Sequence, residues 1–176
     1  MHRLFVAIRP PREIRECLLG LMGGIHNARW QDEEQLHLTL RFIGEVERHR
    51  AEDIVAALGS LHHERFGIAL SGVGSFHNRG RGAVWAGVAP LDELKPLHKK
   101  VDQACLRAGI APDTRAYHPH ITLARLGRNS GAVEPFIERL ASLSSQTFPV
   151  DHICLYESRL GSDGASYTVV ERYPLA

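Results

Sequence analysis

The chain has few cysteines, and their spacing gives them nothing to do together. Its 176 residues hold three, Cys17, Cys105 and Cys154. They are odd in number and far apart, with no CxxC pair, so neither a disulfide framework nor a zinc set is written into them. They read as buried or half-buried thiols of a reducing cytosol, and a cytoplasmic protein is the expectation. Long apolar runs are missing as well; none approaches the ~20 residues that span a bilayer. The opening Met1–Pro10 turns from a short apolar run to charge, which reads as a first strand rather than a signal peptide. There is no surplus of charge of one sign: 21 Lys and Arg face 20 Asp and Glu, for a formal net charge of +1. This balance argues against bulk electrostatic capture of nucleic acid, but it does not exclude a nucleic-acid end held in a locally basic cleft. The familiar glycine-based loops are absent too: no GxGxxG, no P-loop and no GxSxG nucleophile elbow. Gly72-Val73-Gly74 lies in a strand pattern without the third glycine of a dinucleotide loop. What remains is an ordinary folded composition, 44% hydrophobic and 23% charged.

The pattern that is present is His-x-Thr-Leu, twice: His37-Leu38-Thr39-Leu40 and His120-Ile121-Thr122-Leu123. Each copy alternates polar and apolar residues, the signature of a strand, where positions i and i+2 share a face. His37 and Thr39 then point one way, as do His120 and Thr122, while Leu38, Leu40, Ile121 and Leu123 point into the core. Phe42 has the core parity, and Phe76, at a strand end, also reads as core rather than as a stacking ring. By the same alternation Arg125 faces away from His120 and reaches its side only if the strand bends. Two such strands facing each other would make a pocket with two imidazoles and two hydroxyls, a set suited to acid–base chemistry on a phosphoryl group.

The chain repeats itself around these motifs. The first half reads as a strand over Leu4–Ile8, a helix over Arg12–Met22 stopped by Gly23-Gly24, and the His37 strand to Gly44. A helix over Arg48–Leu61 and a strand over Phe66–Phe76 complete it. The second half gives a strand over Ala83–Val88, a helix from Pro90 to Ala108 stopped by Gly109, and the His120 strand. A short helix over Val133–Leu143, a strand over Phe148–Ser158 and a closing strand over Tyr167–Tyr173 follow. Offsets of 80 to 83 residues relate the halves. The expected fold class is α+β: a bilobal, pseudo-twofold duplication of strand–helix–strand–helix–strand units, with largely antiparallel sheets lining a central cleft and helices outside. The whole of 1–176 is expected to be a single domain of two lobes with interleaved strands, with repeat halves 3–76 and 81–158 and a closing strand 166–173.

A metal site is the main competing use of the 11 histidines. His118-Pro119-His120 and His62-His63 invite it, but threonine stands where a second histidine or a carboxylate would be needed. His62-His63 sits at a helix end, where the dipole favours histidine, and His118 reads as structural or as a rim residue. Arg79-Gly80-Arg81-Gly82 is read either as a plain hairpin turn or as a turn whose arginines touch a phosphate backbone.

The paired motifs resemble those of the two-histidine (2H) phosphoesterase superfamily, and within it the RNA 2′,3′-cyclic phosphodiesterases, also called 2′-5′ RNA ligases. The resemblance rests on Arg3–Ile8, His37-Leu38-Thr39-Leu40-Arg41-Phe42-Ile43-Gly44-Glu45-Val46, Val84–Gly87, Tyr117-His118-Pro119-His120-Ile121-Thr122-Leu123-Ala124-Arg125 and Leu155–Ser158. It implies hydrolysis of RNA 2′,3′-cyclic phosphate ends to a 2′-phosphate, with no cofactor and no metal. His37 is implied as proton donor and His120 as proton acceptor. Thr39, Thr122 and Arg125 are implied on the phosphate. Joining of tRNA halves through a 2′-5′ bond is implied as a reverse reaction. Two alternatives stand beside it: a phosphodiesterase of small cyclic nucleotides or cyclic ADP-ribose phosphate, and a non-catalytic module that binds RNA ends. No membrane and no protein partner are implied, and a monomer is expected because no apolar stripe demands a second copy.

Overall fold

The computed structural model describes residues 1–176. Nine strands form one sheet: β1 (His2–Ile8), β2 (Arg29–Trp30), β3 (Leu38–Val46), β4 (Phe66–Asn78), β5 (Arg81–Ala89), β6 (His120–Leu126), β7 (Phe148–Val150), β8 (His152–Gly161) and β9 (Gly164–Pro174). Four helices, α1 (Arg12–Leu21), α2 (Arg48–Gly59), α3 (Leu94–Arg107) and α4 (Glu134–Arg139), complete the α+β fold. The sheet runs β7-β4-β5-β6-β3-β1-β8-β9, with β2 added beside β6. Every pairing is antiparallel.

The order is symmetric about its middle. Stepping outward from β6 one meets β5 and β4; stepping outward from β3 one meets β1 and β8. So β4 of the first half joins the β5–β6 side, and β8 of the second half joins the β1–β3 side. This exchange interleaves the two repeats. It also splits the single strand expected over Phe148–Ser158. The chain breaks at Asp151, β7 pairs with β4 at one edge, and β8 pairs with β1 on the other side. The helices obey their apolar spacing. Ile14 and Leu18 of α1, Ile54 and Leu58 of α2, and Leu94, Leu97, Val101 and Cys105 of α3 are all buried, one stripe per helix set against the sheet. The helix of the second half starts at Leu94, not Pro90, after a turn at Asp92–Glu93. Cys17 is exposed, contrary to expectation, while Cys105 and Cys154 are buried. Cys17 follows Ile14 by three positions but lies just before Leu18, on the flank of the apolar stripe. The two-residue strand β2 and a 3-10 turn at Glu33–Gln35 had no periodicity to announce them.

The core unites both sides of the sheet. Leu4, Val6, Leu38, Leu40, Val84, Ala86, Ile121 and Leu123 all belong to one buried cluster. The opposite face, around the contact of β3 with β6, is where the polar members of the motifs emerge.

Candidate active site

The two motifs meet at a single register pair, Leu38 opposite Ile121. His37 directly precedes β3 and His120 opens β6, so one imidazole stands at each side of this contact. Thr39 is exposed and Thr122 half-buried, between leucines and isoleucine that are almost completely buried. The alternation expected from sequence therefore holds over the first four residues of each motif.

It then fails, at the same place in both copies. On β1, Val6 faces Arg41 but Ala7 faces Thr39, so Leu40 is an extra residue. On β5, Val84 faces Ala124 but Trp85 faces Thr122, so Leu123 is extra. Each HxTL ends in a β-bulge at its leucine, and a bulge reverses the facing of everything after it. Two sequence expectations are corrected by this. Phe42 is not core; it is 40% exposed and joins Thr39 on the cleft face. Arg125, which strict alternation turned away, is brought to that same face. Phe42 and Arg125 occupy matching positions in the two repeats. In place of core parity, Arg41 takes the buried position, held by Asp102 at 2.9 Å and by the carbonyls of Phe42 and Ala111.

Phe76 is likewise a wall of the site and not core. It is 38% exposed, with its ring centre 5.0 Å from that of His120 and 5.2 Å from those of Trp85 and His118. Gly74 makes room for this wall: a Cβ there would lie 2.4 Å from the Trp85 ring. His118 is an exposed rim residue with a further task. Its carbonyl accepts from His120 Nδ1 at 2.6 Å. Since a carbonyl can only accept, Nδ1 carries the proton and Nε2 of a neutral His120 is the free acceptor. Burial lowers the His120 pKa, as do the charges of His118 and Arg125, against the raising effect of the His118 carbonyl.

His37 is caged by aromatic rings from three strands. Tyr156 lies 4.5 Å away, Tyr167 5.3 Å and Phe5 6.0 Å, all edge to face. The side chain is buried, and neither ring nitrogen has a hydrogen-bond partner. Burial pushes its pKa down to about 4; the Gln35 backbone nearby opposes this, and Arg9 and Arg15 add to it. Both imidazoles thus favour the neutral form at pH 7, because desolvation penalises the charged form.

Two hollows adjoin the motifs and share Thr39 and Phe42. One, of about 270 Å³, is lined by Arg3, Arg29, Arg125, Gln35, Phe5 and Tyr167 among others. The other, of about 240 Å³, holds His118, His120, Tyr117 and Arg115. The Tyr117 hydroxyl donates to the Thr39 carbonyl, and its ring stacks on His98 at 3.8 Å, which ties the loop before His120 to β3. No group of three or more His, Cys, Asp or Glu side chains is arranged to hold a metal ion. His63 is buried against Glu93 and Lys100, away from the motifs.

Sequence reasoning singled out His37, Thr39, His120, Thr122 and Arg125, and the structure brings all five to the β3–β6 junction. It missed the cage of Phe5, Tyr156 and Tyr167, and the place of Arg29 in the hollow beside Thr39. The aromatic residues do share a face with the motif, but that becomes visible only once β8 is known to pair with β1.

Residues 10–162 match the family model described as the 2′-5′ RNA ligase superfamily. The RNA 2′,3′-cyclic phosphodiesterase of Aeropyrum pernix is 35% identical over 77% of this chain and 80% of its own length. That of Thermus thermophilus is 31% identical over 98% and 90%. Among solved structures, Escherichia coli LigT complexed with 3′-AMP superposes with a TM-score of 0.80, at 26% identity, over 99% of this chain and 98% of that one. The chain belongs to the 2′-5′ RNA ligase superfamily.

Proposed function

We propose that this protein hydrolyses the 2′,3′-cyclic phosphate at an RNA end, with His37 as general acid and His120 as general base. The observation that carries the reading is the pairing of Leu38 with Ile121, which sets two imidazoles and two threonine hydroxyls about one junction. Relatives named for this activity support it, as does the nucleoside monophosphate held by the LigT structure.

His120 has its Nδ1 proton committed to the His118 carbonyl, so Nε2 takes the proton of the attacking water. The new P–O bond forms as the P–O3′ bond breaks in line on the far side. His37 gives its proton to O3′, and the product carries a 2′-phosphate. The Thr39 and Thr122 hydroxyls donate to the non-bridging oxygens, where each is worth ~2–4 kcal/mol if it acts as an oxyanion-hole donor does. Arg125 adds positive charge. Phe42 offers a flat face to a terminal base, with the Arg3 guanidinium 5.2 Å from its ring centre. His37 is 6% exposed, so its contact with O3′ calls for a shift of its ring or of the aromatic side chains around it. With an RNA 5′-hydroxyl in place of water, the same proton transfers form a 2′-5′ bond. The donor set of imidazoles and hydroxyls calls for no metal.

The test is turnover of an oligonucleotide ending in a 2′,3′-cyclic phosphate, with the product identified by phosphorus NMR. A 2′-phosphate product is expected, and His37→Ala and His120→Ala should each lose at least ~10²-fold in rate. Full activity in either folded variant would remove the two-histidine assignment; a 3′-phosphate product would reverse the substrate's orientation.

A further inference from the structure

The hollow beside Thr39 contains more positive charge than the reaction needs. Arg3, Arg29 and Arg125 line it, together with Gln31, Gln35 and Ser158, and no carboxylate is among its lining residues. Five arginines outside the hollow are paired with carboxylates: Arg12 with Glu16, Arg15 with Glu33, Arg41 with Asp102, Arg48 with Glu52, Arg115 with Asp113. None of the three in the hollow has an ion pair. A cyclic phosphodiester carries one negative charge. Arg125 can answer that charge, which leaves Arg3 and Arg29 in surplus.

Arg29 is built into its position. Strand β2 is only two residues long, and it pairs Arg29 with Arg125 and Trp30 with Ala124. Adjacent strands lie about 4.8 Å apart, so the two guanidiniums start from neighbouring backbones. The Trp30 ring packs 5.5 Å from that of Phe136 and anchors the short strand. At the other end, the Arg29 guanidinium lies against Gly164. A Cβ on that residue would come 2.8 Å from Arg29 Nη2, and its φ of +106° also favours glycine. The Gln35 side chain, fixed by its bond to the Ala165 carbonyl, borders the same spot.

We propose that Arg29, assisted by Arg3, forms a second phosphate subsite, which takes the phosphodiester on the 5′ side of the terminal nucleotide. The enzyme then selects a chain end over a cyclic mononucleotide. This rests on the reaction proposed above. With the reacting phosphate at the threonines and the terminal base on Phe42, the next phosphate of the strand is the anion left to meet Arg29.

Calorimetric titration compares adenosine 2′-monophosphate with adenosine 2′,5′-bisphosphate at one ionic strength. The added phosphate should tighten binding at least tenfold in the wild type. Arg29→Gln should lose most of that ratio, and Arg29→Lys, which keeps the charge, should retain more of it. An equal ratio in wild type and Arg29→Gln, or no gain in the wild type, overturns the subsite. A dinucleotide with the same 2′-phosphorylated end should gain as much as the bisphosphate; gain by the bisphosphate alone would assign the subsite to free nucleotides and overturn the chain-end assignment. Turnover is read separately. A wild type that binds with the expected ratio but fails to hydrolyse a cyclic-ended oligonucleotide would sink the proposed reaction, while the ratio still decides the subsite.

Discussion

Filling the site with phosphate should convert His37 from a neutral ring into a usable acid. Burial holds its pKa at about 4, so at pH 7 only about one molecule in a thousand carries the proton there. An anion that comes within about 4 Å of the ring interacts with the imidazolium by about 4 kcal/mol at an effective dielectric near 20. At about 1.36 kcal/mol per factor of ten, that raises the protonated fraction by about a thousandfold, enough to populate the imidazolium at pH 7. The bound state then holds its proton where the free state does not, and binding takes up a proton between pH 4 and 7. The assay is NMR titration of the His37 ring with and without adenosine 2′-monophosphate. Kinetics should agree, with the basic limb of kcat lying at higher pH than the same limb of kcat/KM. A His37 that titrates near the ordinary 6.5 in the free protein would refute the burial argument. One that still titrates near 4 in the complex would refute its use as the acid.

Thr39→Val and Thr122→Val should each lower kcat by ~10²–10³-fold while leaving thermal unfolding nearly unchanged, as expected for donors to a transition-state oxygen. The lowered pKa of His37 also sets a stability trend. The fold prefers the neutral ring, so its contribution is complete above pH 6.5 and is lost as pH falls toward about 4. Urea unfolding at pH 4.5 against pH 7 should show a loss of about 2.5 kcal/mol from this residue, absent in His37→Phe. Arg41→Met leaves Asp102 without the guanidinium 2.9 Å away and should cost about 3 kcal/mol in the same measurement, the lower range for breaking a buried pair. EDTA should leave turnover unchanged; loss restored by one divalent ion would show that a metal takes part.

The longer elements were legible because each has a clean period, which β2 and the 3-10 turn at Glu33–Gln35 lack. The two HxTL strands and the apolar stripe of each helix are patterns of spacing, and the core followed from them. The bulges were not legible. One extra residue at Leu40 and Leu123 changes no composition and no local propensity, yet it decides the facing of Phe42 and Arg125. Interleaving of the two halves was expected, but that β4 and β8 are the strands exchanged was hidden for another reason. Strand partners are a long-range choice, and Asp151, where β7 gives way to β8, reads locally as one polar residue in a strand. The aromatic cage of His37 inherits this: Phe5, Tyr156 and Tyr167 come from β1, β8 and β9 and become neighbours only through that pairing.

A duplicated scaffold gives two equivalent histidines, but hydrolysis needs one donor and one acceptor. The departures from symmetry supply the distinction. His120 keeps a carbonyl partner that fixes its tautomer, and residues 118–119 read His-Pro, where a residue before proline favours extended backbone. His37 has no partner on either nitrogen and sits among three aromatic rings. One bulge further along, the matched positions hold a phenyl ring on β3 and a guanidinium on β6. A half-turn of the substrate would trade these two environments, setting the base against Arg125 and the phosphate charge against Phe42. The second arginine, Arg29, deepens the difference, since β2 pairs with β6 alone and nothing repeats it beside β3. On the proposed reaction, then, the fold lays down two copies of the acid–base apparatus, and residues outside the repeated motif would choose which way round an RNA end is read.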